Sequence, residues 1–353
     1  MSRPERGEER PRVSGAHIVF VTEGGPDVGL GHVSRCRAIA RAARAEGARI
    51  SFLVVPDPRV AALLGGIPAE VTAYAWPADA EGALEALRGL RPDAIVVDSY
   101  KATPAFLGAL RALASPVAAV DDTASLTLPV DVVVNGSIAA ESLPYVRTAG
   151  TTLLLGSRYA LLDPDYADLP DRRPADRLGR VLVTLGGGLN TPDVAAAVRG
   201  ADAVLIDGVV EVAAGSFAGR TEALDDVVRA ARNRVVIHRG RFGLRDLMLA
   251  ADLAVCGAGM TLYELAATGT PAITVCMAAN QRPNAEAFAR AGAAPTAGQA
   301  GDPGLGAAVE AALRRLVPAP ARAEVAARAH RLVDGRGAAR VAQRILEPAP
   351  ARR

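Results

Sequence analysis

Short apolar, β-branched runs recur along this chain, separated by longer stretches whose apolar positions repeat at helical spacing. In the first half they predict strands at Ala16–Val21, Arg49–Val55, Val71–Trp76, Ala94–Asp98, Val117–Val120 and Val132–Asn135. Helices are predicted between them at His32–Glu46, Arg59–Leu64, Glu81–Leu90 and Pro104–Leu113. The polar, Pro-rich stretch 163–180 reads as an interdomain linker. The alternation then restarts with strands at Val181–Leu185, Ala203–Ile206, Arg234–His238, Leu253–Cys256 and Ala272–Cys276. Leu262–Thr268 and Asn284–Ala291 are the clearest helices there, and Leu305–Leu346 is helical.

Strands alternating with helices indicate parallel sheets wrapped on both faces. The expected organisation is a tail at 1–14, a first Rossmann-like domain at 15–162 and a linker at 163–180. A second domain at 181–304 and C-terminal helices at 305–346 complete it. The fold class is α/β, two facing doubly wound domains, with the C-terminal helices placed to return and brace the first. Ligands of such folds bind at the carboxyl ends of the strands, in the interdomain cleft.

Length and composition narrow the choice of partner. The 353 residues suit about two domains, and a half-apolar composition supplies both cores. Forty basic against 38 acidic residues leave a net charge of +2, no field to attract nucleic acid or an anionic membrane. Aromatic residues, at 4%, are too few for base-stacking platforms. No apolar run is long enough to span a bilayer, and the charged first residues lack a signal-peptide core, so a cytoplasmic protein is expected. Cys36, Cys256 and Cys276 fit buried small hydrophobes of a reduced protein; no paired spacing suggests a disulfide or zinc.

The candidate chemistry lies where strands hand over to helices. Gly29-Leu30-Gly31-His32 joins the first strand to the first helix, where free backbone N–H groups and a helix dipole favour an anionic leaving group or a sugar oxygen. The neutral imidazole of His32 there is placed to accept a proton. His17, His238 and His330 read as structural. Gly257-Ala258-Gly259-Met260-Thr261 repeats the device in the second half, its glycines allowing a diphosphate close to the backbone, with Glu264 one turn on to accept ribose hydroxyls. Asn280 and Gln281 suit sugar hydroxyls or N-acetyl groups, and Gly186-Gly187-Gly188 is a third strand-end glycine loop. Asp98, Tyr100 and the pair Asp121-Asp122 end neighbouring strands, where carboxylates can orient His32, bind sugar hydroxyls or cap helices.

Other ligand signatures are incomplete. The third glycine of a dinucleotide fingerprint is absent, and Asp57 is the nearest candidate for its acidic residue. No P-loop occurs. Asp163-Pro164-Asp165 has the Asp-x-Asp form of some metal-dependent glycosyltransferases, but it falls in the linker with nothing nearby to complete an octahedral site.

Taken in order, these motifs resemble the nucleotide-sugar hydrolases of the pseudaminic acid pathway and the spore-coat polysaccharide biosynthesis proteins. Both are similar to the glycosyltransferase that completes lipid II. The likeness runs from Ala16 to about Ala294. It rests on Gly29–Cys36, Asp98-Ser99-Tyr100, Asp121-Asp122, Leu155–Leu162, Leu185-Gly186-Gly187, Gly257–Glu264 and Asn280-Gln281. The resemblance implies a GT-B fold, a UDP-linked amino sugar, and neither metal nor cofactor. Carried over, His32 is the base that activates water. Gly259, Met260, Thr261 and Glu264 line the UDP site, and Tyr100, Asn280 and Gln281 contact the sugar. Gly29, Gly31, Asp98, Asp122, Gly187 and Gly257 complete the expected binding set. Two departures stand out: Ser99 where the family often has His, and a Glu23-containing opening without the family's arginine. They leave room for an acceptor hydroxyl in place of water, making the protein a UDP-sugar-dependent transferase. A sugar-nucleotide-binding protein without catalysis is the third expectation.

Overall fold

The computed structural model describes residues 15–170, 172–186, 191–214, 222–241 and 243–347. The expected tail 1–14 and the glycines Gly187 and Gly188 lie outside them.

The first sheet contains β1 (His17–Thr22), β2 (Arg49–Val54), β3 (Glu70–Ala73), β4 (Ala94–Asp98), β5 (Val117–Val120), β6 (Val132–Asn135) and β7 (Thr152–Leu155). All pair in parallel, in the order β3-β2-β1-β4-β5-β6-β7. The strand order reverses between β1 and β4, the switch point where such sheets bind ligands. Helices α1 (Gly31–Ala45), α2 (Pro58–Leu64), α3 (Ala80–Leu90) and α4 (Pro104–Leu110) cross between the strands. Because both faces are covered, β1 is buried along its whole length and its residues alternate between two cores. Ile18 and Phe20 enter one, and Val19 and Val21 the other. Val33, Cys36, Ile39, Ala40 and Ala43 form the inward stripe of α1 at the i, i+3, i+4 spacing of an amphipathic helix.

The second sheet repeats the plan. It contains β8 (Arg180–Thr184), β9 (Val209–Ala214), β10 (Arg234–Arg239), β11 (Leu253–Gly257), β12 (Ala272–Cys276) and β13 (Thr296–Gln299), ordered β10-β9-β8-β11-β12-β13 and wholly parallel. Its helices are α5 (Thr191–Val204), α6 (Glu222–Ala230), α7 (Arg245–Ala250), α8 (Met260–Ala267) and α9 (Arg282–Arg290). The strand expected at Ala203–Ile206 is instead the end of α5 and the turn after it. The strand that pairs with β8 begins at Val209, after the Asp207-Gly208 turn. A Cβ at Gly208 would lie 2.8 Å from the Gly179 carbonyl oxygen, so the turn needs glycine for close approach.

Between the sheets, consecutive side chains of one extended segment go to different domains. Leu161 packs into the first core, while Ala160, Leu162 and Tyr166 pack into the second. The C-terminal region forms α10 (Leu305–Arg315), α11 (Ala319–Leu332) and α12 (Gly337–Leu346). α10 packs on α5 and α11 on α8, whereas α12 crosses back to lie on α1. Val341, Ala342, Ile345 and Leu346 complete the first domain's core there. At the start of α12, a Cβ on Gly337 would come within 2.2 Å of the Ala160 carbonyl oxygen, which fixes how closely the returning helix seats.

No helix of the described residues is long and apolar enough to cross a membrane.

Candidate active site

α1 begins directly out of the loop after β1. Gly25 and Gly29 exchange two backbone hydrogen bonds of 3.0 and 2.8 Å. Gly29 has a φ of +73°, which a side chain would strain. Leu30, at the N-cap, supplies no side-chain cap, so the first amides of α1 are open to a ligand.

His32 is the second residue of α1 and is buried. Its Nδ1 lies 2.6 Å from Oδ1 of Asp98, at the end of β4 and fully buried. An ionised carboxylate can only accept, so Nδ1 carries the proton and Nε2 keeps its lone pair for chemistry. The Tyr100 ring stands edge-on to the imidazole with centroids 4.7 Å apart.

Arg35, one turn further along α1, ties the surrounding carboxylates together. Its Nε and Nη2 donate to Oδ2 and Oδ1 of Asp98 at 2.8 Å, and its Nη1 donates to both oxygens of Asp122 at 2.8 Å. Nη2 also lies 3.0 Å from His32 Nδ1; with the proton on that nitrogen, this is a contact and the donation goes to Asp98. Tyr100 Oη donates to Asp122 Oδ2 at 2.7 Å. Burial pushes the Asp122 carboxyl up, but the Arg35 charge and hydrogen bonds outweigh it and hold Asp122 below its ordinary range. Burial and the Asp122 charge push the Tyr100 phenol well up, so it remains a donor.

His32, Arg35, Tyr100 and Asp122 line a cavity of about 280 Å³ that both domains share. The first domain contributes Gly31, His32, Arg35, Tyr100 and Asp122; the second contributes Gly259, Met260, Tyr263, Asn280, Gln281 and Asn284. α8 starts at its wall, and its N-cap Gly259 supplies no side-chain cap. Two helix N-termini therefore border one cavity, a setting that favours negative charge. Gln281 Oε1 accepts from the Ala258 and Met277 amides at 3.1 and 3.2 Å and so shapes the glycine turn before α8.

A second cavity, of about 460 Å³, adjoins the first at Leu161 and Met260. Glu264 lines this one, with Arg37, Arg41, Tyr166, Arg241 and Arg245. Solvent reaches part of the Glu264 side chain. Burial is still the largest influence on its carboxyl and, with the Asp163 charge, raises it from 4.5 to about 7 against the lowering hydrogen bond from Tyr166.

Of the residues expected from sequence, Gly31, His32, Tyr100, Asp122, Gly259, Met260, Asn280 and Gln281 meet in one cavity. Glu264 sits in the neighbouring one. Gly29, Asp98, Gly257 and Thr261 line neither: Asp98 stands behind His32, and Gly257 closes β11. Gly187 falls outside the described residues.

The other motifs have structural uses. Asp121 accepts from the Ala124 amide, Thr123 and Tyr145, fixing the turn after β5. Asp57 caps α2 through the Arg59 amide. Asp163 pairs with Arg37 and Arg41, and Asp165 with Arg41. Glu23 pairs with Lys101 at 2.6 Å and accepts from Ser99. His17 bonds Ser51, His238 bonds Glu211, and His330 faces the Ala266 carbonyl. Cys36 and Cys256 are buried, while Cys276 is partly accessible. Among the described residues, no group of three or more His, Cys, Asp or Glu side chains could hold a metal ion.

Sequence reasoning gave no role to Arg35, although its i, i+3 relation to His32 was a usable signal. It also passed over an interdomain strap. Asn284 Oδ1 accepts from Ser137 at 2.6 Å and Tyr263 at 2.9 Å, and Tyr263 Oη in turn accepts from the Ile138 amide at 2.9 Å.

Comparison with known proteins agrees with this architecture. Residues 243–345 match the glycosyltransferase family 28 C-terminal domain. MurG of Acinetobacter baumannii superposes with a TM-score of 0.67 at 19% identity, covering 94% of this chain and 100% of that one. The glycotransferase of kitacinnamycin gives 0.65 at 20%, covering 95% and 100%. MnaA of S. aureus, solved with UDP, gives 0.64 at 13%, covering 92% and 94%. No curated protein matches the chain. The fold is GT-B.

Proposed function

We propose that this protein is a UDP-sugar-dependent enzyme of glycosyltransferase type. UDP is held by the second domain, and His32 of the first is the general base for an acceptor hydroxyl. The observation that carries the reading is His32, backed by Asp98, on the wall of a shared cavity bordered by the uncapped start of α8.

In this account the diphosphate rests at the Gly259–Met260 start of α8 and the uridine extends into the neighbouring cavity, where Glu264 accepts ribose hydroxyls. The sugar lies between Tyr100, Asn280 and Gln281. His32 Nε2 takes the acceptor hydroxyl proton as its oxygen bonds to the anomeric carbon. The bond from that carbon to the diphosphate breaks, and UDP leaves with the electron pair. The helix N-terminus stabilises the charge that develops on the leaving group. Asp98 stabilises the imidazolium formed at that moment.

Hydrolysis is the second reading, with water in the acceptor's place. It rests on the resemblance of Gly29–Cys36 to the nucleotide-sugar hydrolases. The family-28 match and the kitacinnamycin glycotransferase likeness favour transfer over it.

UDP release from a panel of UDP-sugars, with and without a mixed acceptor pool, separates the readings. Release that requires acceptor supports transfer. Free sugar formed in step with UDP without acceptor supports hydrolysis. UDP binding without cleavage of any donor in either arm would overturn both.

A further inference from the structure

We propose that Arg35 is a positioning residue whose guanidinium fork holds His32 as the Nδ1–H tautomer and keeps its imidazole uncharged between two carboxylates. The role rests on the reading of His32 as the base.

Asp98 touches the imidazole directly, and Asp122 reaches it through Arg35 and Tyr100. Two carboxylates with no cation between them would draw a proton onto the imidazole, and an imidazolium cannot accept another. Arg35 lies between them, engaging Asp98 through the paired donors Nε and Nη2 and both oxygens of Asp122 through Nη1. The guanidinium binds its proton well above its ordinary value: burial opposes this, and the Asp98 and Asp122 charges override it. The triad of Asp98, Arg35 and Asp122 therefore carries one net negative charge.

Among the described residues that line the cavity, no other cation stands in for Arg35. Across the cavity the second domain presents Met260, Tyr263, Asn280, Gln281 and Asn284, all uncharged; burial pushes the Tyr263 phenol up to about 12. Tyr100 remains a neutral phenol, and the buried Cys36 thiol on α1 is pushed well above its ordinary range. Glu23, beside β1, is matched by Lys101. On the other faces packed against α1, Arg37 and Arg41 pair with Asp163 and Asp165, Arg59 of α2 pairs with Asp57, and Arg340 of α12 pairs with Asp334.

The fork also supplies geometry that a point charge cannot. Nε and Nη2 bind the two oxygens of Asp98 side by side, which turns Oδ1 toward Nδ1. A lysine at this position keeps the charge and loses the paired contact.

The test is nitrogen-15 NMR of the His32 ring in the full-length protein, titrated with acid for wild type, Arg35→Met, Arg35→Lys and Asp122→Asn. Arg35→Met is expected to raise the imidazole titration midpoint by about 1–2 units over wild type, and Asp122→Asn to lower it. Arg35→Lys is expected to keep the midpoint within about half a unit while mixing the two tautomers, since only the fork is lost. The acid limb of UDP release should move with the midpoint, lowering kcat at neutral pH in Arg35→Met with little change in donor KM. Unchanged midpoints in both Arg35→Met and Asp122→Asn, or an unmixed tautomer in Arg35→Lys, would overturn the proposal. Arg35→Lys keeps the test decisive if Arg35→Met does not fold. Absence of UDP release from wild type would sink the functional reading and leave the ring titration to judge the role of Arg35.

Discussion

Nδ1 of His32 and Oδ1 of Asp98 stand 2.6 Å apart, although 66 residues separate them in sequence. The switch-point topology makes this contact, since β4 pairs beside β1 and α1 starts from the β1 end. Asp98→Asn keeps the shape but offers an amide that can donate to Nδ1 and so favours the opposite tautomer. UDP release should fall about 10²–10⁴-fold with donor KM unchanged. Steady-state kinetics at several donor concentrations check this; an equal loss in kcat and binding would deny Asp98 an orienting role.

Glu264 gives the protein a pH signature. Its carboxyl rises from 4.5 to about 7 on folding, so the folded chain holds that proton more tightly than the unfolded one. Its contribution to stability is whole below pH 4.5 and is lost as pH rises through about 7, by about 1–3 kcal/mol. Urea unfolding across this window should show the decline, and Glu264→Gln should remove it. UDP affinity should move the opposite way, strengthening above pH 7 as the carboxylate forms, and Glu264→Gln should flatten that dependence too.

α12 braces the domain that carries the base. Ile345 is buried among first-domain residues, so Ile345→Ala should cost about 2–5 kcal/mol. Gly337→Ala forces a Cβ against the Ala160 backbone and should also destabilise, by about 1–3 kcal/mol. Both are read by calorimetric unfolding; two wild-type-like melting curves would mean that the first domain does not depend on the returning helix.

Asp163 and Asp165 are engaged by Arg37 and Arg41, an arrangement that opposes a metal role for Asp-Pro-Asp. UDP release should survive EDTA unchanged and gain nothing from added magnesium or manganese. A loss reversed by either ion would return these carboxylates to the chemistry.

Much of the architecture was legible because long apolar runs and helical periodicity are local signals. β4, β5 and β6 begin and end where the sequence places them. The failures have local causes as well. Ala203–Ile206 is apolar enough for a strand, but over so few residues periodicity cannot separate a strand from the last turn of a buried helix. β13, Thr296-Ala-Gly-Gln, has little β-branched content and is held by its neighbour β12. β7 is a short strand at the end of the sheet order, paired with β6. At the site, His32 and the α8 glycines announced themselves through loop-to-helix steps. Arg35 did not, because its partners Asp98 and Asp122 lie 63 and 87 residues away. Glu264 is expected from sequence at the ribose of the nucleotide, and the fold places it one helical turn beyond Met260, in the adjoining cavity.

Cleavage of a UDP-sugar by His32→Ala, measured beside UDP affinity by titration calorimetry, probes the account at its centre. The expected result is a loss of about 10²–10⁴-fold in UDP release with affinity for UDP within about threefold of wild type. Turnover that persists without the imidazole, or UDP binding that disappears with it, would contradict a base in one domain acting on a nucleotide held by the other.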